Sequence, residues 1–66
     1  MMIKFYEPKG NEEIAHLVNS KHIVSIDIFP NDDVKILLNN GTVYEINSHC
    51  FSIGDWERLQ KLNIEE

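Results

Sequence analysis

Apolar and polar residues alternate with a period of two through the middle of the chain, a pattern typical of half-buried β-strands. Three such runs cover residues 23–29, 34–38 and 42–47. The first two runs are separated by a Pro-Asn-Asp-Asp turn, and the second and third by Asn39-Asn40-Gly41. Both connections consist of residues that favour tight turns. The centre of the chain is therefore predicted to form an antiparallel meander of three strands.

The length of the loop between the second and third strands decides which side chains face the core. A two-residue loop would place Glu45 opposite Ile36 and mix the two faces of the sheet. A three-residue loop, built from a type I turn followed by Gly41 with a positive φ, places Tyr44 opposite Ile36 instead. We therefore expect the three-residue loop. The predicted core face is then Val24, Ile26, Ile28, Val34, Ile36, Leu38, Tyr44 and Ile46.

The segment before the meander predicts one strand and one short helix. Residues 2–6 are mostly apolar and end at a turn that contains Pro8 and Gly10, so they predict a strand. Residues 11–19 begin with Asn11, a good helix N-cap, followed by two acidic residues. Helical spacing is then kept by Ile14, Leu17 and Val18. The alternative for this segment is a strand that carries Ile14, His16 and Val18 on one face.

The C-terminal segment carries the signature of a helix start. Ser52 and Asp55 have the spacing of a capping box, and Phe51 and Trp56 occupy the positions of a hydrophobic staple. The predicted buried stripe of this helix is Ile53, Trp56, Leu59 and Leu62. Residues 64–66 are expected to form a frayed tail.

These elements together predict a single small α+β domain over residues 1–66, because 66 residues allow only one core. The predicted order is β-α-β-β-β-α. An antiparallel meander of three or four strands carries the short N-terminal helix and a C-terminal helix packed on one face. The sequence shows no internal repeat.

The composition narrows the classes of function. Eleven acidic residues against six Lys and Arg give a formal charge of -5, which argues against non-specific binding of nucleic acid. No apolar window is long enough to span a membrane, and the N-terminus lacks the pattern of a signal peptide. The single Cys50 excludes a disulfide within the chain. We therefore expect a cytoplasmic protein without a membrane partner.

Three histidines and Cys50 are the residues that invite a catalytic or metal-binding interpretation. The adjacent pair His49-Cys50 lacks the two-residue gap of a chelating turn, and His16 and His22 add no zinc spacing. Adjacent residues usually point apart, which also disfavours a Cys–His nucleophile pair. We expect no enzymatic activity, no metal and no cofactor. A small thiol or metal protein that uses Cys50 is the alternative.

The second face of the meander is the predicted binding surface. A row of alternating charges crosses the three strands on this face, and apolar side chains flank it. The predicted partner-binding residues are Asp27, Lys35, Glu45, Phe29, Leu37 and Val43. This surface favours a small protein-binding module that regulates or inhibits another protein, a kind of chain typical of phage or mobile elements. Its size also favours a homodimer. The alternative is a nucleic-acid-associated or motility-type regulator that acts as a dimer.

Residues 19–46 carry a spaced pattern that is also found in a known family. The pattern is Asn19-x₃-Ile23-x₂-Ile26, then Pro30-Asn31-Asp32, then Val34-x-Ile36-x-Leu38-x-Asn40-Gly41-x-x-Tyr44-x-Ile46. It resembles the small flagellar FlbD-type family. The chain departs from that family in a longer N-terminal insertion at residues 12–18 and in a final helix that contains Trp56. The resemblance implies a non-enzymatic role in the regulation of motility.

Overall fold

A computed structural model describes residues 1–64, which form two antiparallel sheets and one α-helix. The first sheet is a hairpin of β1 (Met2–Lys9) and β2 (Glu12–Asn19). The second is a meander of β3 (Ile23–Ile28), β4 (Asp33–Leu38) and β5 (Val43–Asn47). Helix α1 spans Ile53–Ile64, and two 3₁₀ turns, Ser20–His22 and Ser48–Cys50, follow β2 and β5. The class is α+β as predicted, in the order β-β-β-β-β-α.

Two further findings concern the described part of the chain as a whole. Of the predicted frayed tail, residues 64–66, Ile64 is the last residue of α1, and residues 65–66 lie outside the described part of the chain. Within residues 1–64, α1 falls short of the length and apolar character that a membrane-spanning helix needs.

The predicted helix at residues 11–19 is wrong, because this segment forms β2. Gly10, with φ 64°, and Asn11 make a two-residue loop, so that Lys9 lies opposite Glu12. Glycine at the first loop position is typical of a type II′ hairpin turn. An isolated two-turn helix is marginal, whereas pairing with β1 satisfies the backbone of both strands. The helical spacing also misplaces Leu17, whose side chain is 65% exposed.

The meander has the register that its apolar pattern predicts. Ile36 lies opposite both Ile26 and Tyr44, and Val34 lies opposite Ile46. The β4–β5 loop has the three-residue form, because the Leu38 N–H donates to the Thr42 carbonyl at 2.9 Å. Gly41 has φ 88°, the left-handed conformation that this loop requires.

Val24 is the exception on the predicted core face, because its side chain is 53% exposed. Ile23 lies opposite Leu38, and Ser25 lies opposite Leu37. Val24 is therefore the extra residue of a β-bulge, which shifts its side chain out of the alternation. Alternation alone cannot reveal a bulge, because the extra residue becomes apparent only from the pairing with the neighbouring strand.

The core lies between the inner faces of the two sheets. Its buried side chains come from both sheets and from the C-terminal segment: Ile3, Phe5, Val18, Ile26, Val34, Ile36, Ile46, Phe51 and Leu59. The meander was expected to be covered by the C-terminal helix. The hairpin covers it instead, and α1 packs mainly against β1.

The predicted buried stripe of α1 is correct except at its first residue. Leu59 is fully buried, and Trp56 and Leu62 are half-buried against the core. Ile53 is 81% exposed. At 3.6 residues per turn, Ile53 lies about 120° around the helix axis from Leu59 and so faces away from β1.

Candidate functional site

The outer face of the meander, defined by Asp27, Lys35, Glu45, Phe29, Leu37 and Val43, is not covered by the hairpin, which packs on the opposite side. Asp27 lies opposite Lys35, and Lys35 lies opposite Glu45, so the three charges form a row across the sheet. All three residues are exposed. Among the described residues, ion pairs within 4.0 Å join only Glu7 to His16 and Asp55 to Arg58. The charged row is thus aligned by the backbone without being closed into ion pairs.

The apolar residues of the outer face are substantially exposed. Phe29 is 47% exposed and Val43 is 45% exposed, while Leu37, directly opposite Val43, is half-buried. Apolar side chains thus lie on both sides of the charged row, and exposed apolar groups of this kind mark a candidate binding surface. The backbone thus brings together all six residues that the sequence predicts for this face.

Phe29 is held at one end of the outer face by the β3–β4 turn. Its N–H donates to the Asp33 carbonyl at 2.8 Å, and its carbonyl accepts from the Asp32 N–H at 2.9 Å. The Asn31 side chain closes the same turn by accepting the Asp33 N–H at 3.2 Å. These three bonds restrict the backbone from which the Phe29 ring projects.

An open groove of about 830 Å³ runs beside the outer face. Phe29, Lys35 and Glu45 line it together with Pro8 near the tip of the hairpin and Cys50 in the second 3₁₀ turn. Its lining mixes apolar residues with polar and charged ones, so it offers a partner side chain both apolar contact and hydrogen bonds. The groove places Cys50 near the candidate surface, an association that the sequence does not reveal.

A cluster of aromatic rings joins the two sheets below this face. The His16 ring packs against both Phe5 and Tyr44, with centroid separations of 5.3 and 4.8 Å, and those two rings also contact each other at 5.1 Å. Its Nε2 lies 3.1 Å from a carboxylate oxygen of Glu7. His16 is half-buried, because it lies opposite Phe5 on the inner face of the hairpin. Its position indicates a structural role between the sheets.

The start of α1 is organised around Asp55. The Ser52 hydroxyl donates to Asp55 at 2.7 Å and accepts the Asp55 N–H at 3.2 Å. Arg58 donates to the same carboxylate at 2.9 Å. The hydrogen bond from Ser52, with smaller contributions from the Lys4 N–H and Arg58, lowers the pKa of Asp55 below its usual value of 3.8.

The Phe51 ring packs on Trp56 across this cap, with ring centroids 5.5 Å apart. Phe51 also forms a backbone bridge with Phe5 of β1. This hydrophobic staple therefore ties the start of α1 to the hairpin. Both Phe51 and Trp56 thus have a structural role.

The residues considered for thiol or metal chemistry do not gather in one place. Cys50 is half-buried and His49 is exposed. Across residues 1–64, no three His, Cys, Asp or Glu side chains come close enough together to hold a metal ion.

Two turns in the chain share a design that the sequence analysis did not detect. Asn19 and Asn47 each precede a serine and a 3₁₀ turn, and each side-chain oxygen accepts an N–H two residues ahead at 3.0 Å. The recurring signal is the Asn-Ser pair at the end of a strand, followed by an apolar residue four positions after the Asn. It marks where the chain leaves the hairpin and where it leaves the meander.

Comparisons with known proteins leave the site to be interpreted from its own geometry. No family model, no curated protein and no solved structure matches the chain.

Proposed function

We propose that this protein is a small non-catalytic binding module that regulates or inhibits another protein through the outer face of the meander. The observation that carries the proposal is the exposure of Phe29 and Val43 on a face whose charged row is aligned but unpaired. The exposed apolar area on either side of the charged row gains free energy when a partner excludes water from it. An origin in a phage or mobile element stays a prediction.

The charges define the chemistry of the partner. Asp27 and Glu45 flank the single Lys35 on this face, and the chain carries a formal charge of -5. A partner surface with basic groups opposite Asp27 and Glu45, flanked by apolar side chains, would complement this face. Such an interface associates faster at low ionic strength, because long-range attraction between opposite charges is screened by salt.

The test is affinity capture with the full chain, followed by measurement of binding to the captured protein. The variant Phe29→Ser/Val43→Thr removes apolar area from the outer face and keeps a β-branched residue on β5. We expect it to bind at least tenfold more weakly, since each exposed apolar anchor at an interface centre is worth roughly 1–3 kcal/mol.

Met2→Thr is the matched control, because Met2 is an exposed apolar residue on the other sheet. Urea unfolding of all three proteins verifies that the variants remain folded. Equal affinity of the wild type and the double variant would overturn the proposal. A loss of binding only in Met2→Thr would move the site to the hairpin.

A further inference from the structure

The second strand of the hairpin has one open edge. β2 pairs with β1 along all eight of its residues without a bulge, and the hairpin forms a sheet of only these two strands within the described chain. The Ser20 N–H donates to the Met1 carbonyl, and the Lys4 N–H points away from β2 toward Asp55. These two bonds fix which backbone groups of the hairpin point inward, toward the other strand, and which point outward. The backbone groups that point outward from β2 therefore belong to Glu13, Ala15, Leu17 and Asn19.

The other strand edges carry features that limit pairing with a further strand. The second edge of β1 is occupied by the bridge to Phe51 and by the bond to Asp55. The β3 edge is interrupted by the bulge at Val24, and β5 has only five residues with Glu45 at its centre. Proteins use bulges, charges, proline and short strands to prevent edge pairing. Between Ile14 and Asn19, β2 has none of these features.

We infer that the open edge of β2 pairs with β2 of a second copy of the chain. The product is an antiparallel four-stranded sheet in the order β1-β2-β2-β1, related by a twofold axis. Formation of this sheet converts the outward backbone groups of both copies from solvent contacts to a continuous ladder.

The sequence of β2 selects one register for this pairing. Antiparallel partners must share a face, which leaves two registers that use most of the strand. One places Glu13 opposite Leu17 of the second copy. The other places Ala15 opposite Leu17, and Ile14 opposite Val18, so that every apolar residue meets an apolar one. In this second register the twofold axis passes beside His16, which faces its own counterpart.

Electrostatics favours the same edge as the contact between two acidic copies. Each chain has a formal charge of -5, so most surfaces of the two copies repel one another. The stretch from Ile14 to Val18 contains no acidic residue. In the selected register, Glu12 and Glu13 lie opposite Ser20 and Asn19 of the second copy rather than opposite each other.

The oligomeric state tests the inference directly. Light scattering and sedimentation of the full chain should show a mass that rises from monomer to dimer with concentration. Ala15→Pro should shift the midpoint at least tenfold upward in concentration, because it removes an outward N–H and leaves the bonds to β1 intact. Ala15→Val keeps that N–H and should remain dimeric. A monomer at all concentrations, or a dimer unaffected by Ala15→Pro, would overturn the inference.

Disulfide trapping tests the register without relying on the proline variant. In a Cys50→Ser background, Ala15→Cys and Leu17→Cys are prepared separately and then mixed under oxidation. Opposite residues have Cα atoms about 5.5 Å apart, within disulfide range, whereas residues offset by two positions are about 8 Å apart, beyond it. The mixture should therefore form covalent dimers at least tenfold more abundantly than either variant alone. Efficient cross-linking of Ala15→Cys with itself would rule out this register.

Discussion

Asp32 and Gly41 occupy the same position in two turns of the same design, and both have a positive φ, of 67° and 88°. In the first turn the Asp32 N–H donates to the Phe29 carbonyl. In the second turn the Gly41 N–H donates to the Leu38 carbonyl, again three residues earlier in the chain. An asparagine just before the donating residue, Asn31 or Asn40, closes the turn through its side chain. The meander is thus built on one turn used twice, with a glycine in one copy and an aspartate in the other.

Gly41→Ala should lower the free energy of unfolding by about 1 kcal/mol. The cause is conformational, because an added Cβ at Gly41 meets no atom within 4 Å, whereas a positive φ is strained for alanine. Urea denaturation measures the change. Gly54→Ala is the matched control, since Gly54 lies in α1, also has open space, and should gain roughly 0.5 kcal/mol from the helix propensity of alanine. Equal effects of the two substitutions would contradict this explanation.

Leu59→Ala should destabilise the protein by about 2–5 kcal/mol, because it leaves a cavity at a fully buried position between α1 and the hairpin. Ile53→Ala, on the same helix, should change the free energy of unfolding by less than about 0.5 kcal/mol, because the Ile53 side chain is exposed. Thermal and urea unfolding of both variants provide the comparison. A large loss in Ile53→Ala would show that this residue contacts the core.

Stability should depend on the ionisation of Asp55 in acid. Its pKa is lowered in the folded state, so its contribution is complete above its ordinary value of 3.8 and disappears as the pH falls toward the lower folded value. Asp55→Asn should therefore be less stable than the wild type by about 1 kcal/mol at pH 7, and the difference should narrow below about pH 4.

Ser52→Ala should reproduce most of this pH dependence, because the Ser52 hydroxyl is the largest cause of the lowered pKa. Urea unfolding at pH 7, 5, 4 and 3 measures it. A constant difference between Asp55→Asn and the wild type across this range would contradict the role given to the cap.

The two Asn-Ser turns should differ in their sensitivity to alanine. Asn19→Ala removes one cap bond and should cost about 1 kcal/mol. Asn47→Ala should cost more, because the Asn47 side chain also donates to Asp33 at 3.2 Å and so links β5 to β4. Differential scanning calorimetry of both variants gives the ranking, and the reverse order would show that the second bond contributes nothing.

The meander could be predicted from the sequence because its strand faces and its register are both set by residues that are close together in the chain. The alternation around Ile36 sets the faces, and the loop that ends at Gly41 sets the register, so few residues determine many pairs. The start of α1 is predictable for the same reason, since Ser52 and Asp55 lie in one turn. The outer face follows from this register, and the structure brings its residues together.

The hairpin and the arrangement of layers could not be derived in the same way. The spacing of Ile14, Leu17 and Val18 fits a helix, and Asn11 suits a helix N-cap as well as the second position of the hairpin loop that the structure shows. Pairing with β1 decides between them, and that is a tertiary effect. The burial of His16 depends on Phe5 and Tyr44, which lie far from it in sequence. The open edge of β2 becomes apparent only once β2 is known to be a strand.

The bridge between Phe5 and Phe51 limits how early the core can form during synthesis on the ribosome. The hairpin is synthesised before the meander and α1, but a two-stranded hairpin alone is marginally stable in water. The residues that bury Phe5 include Tyr44 and Phe51, and the Lys4 N–H bonds to Asp55, 51 positions further along the chain. The nascent chain therefore exposes the Phe5 ring until Tyr44 and Phe51 have emerged, and we expect closure of this long loop, rather than hairpin formation, to limit the rate of folding.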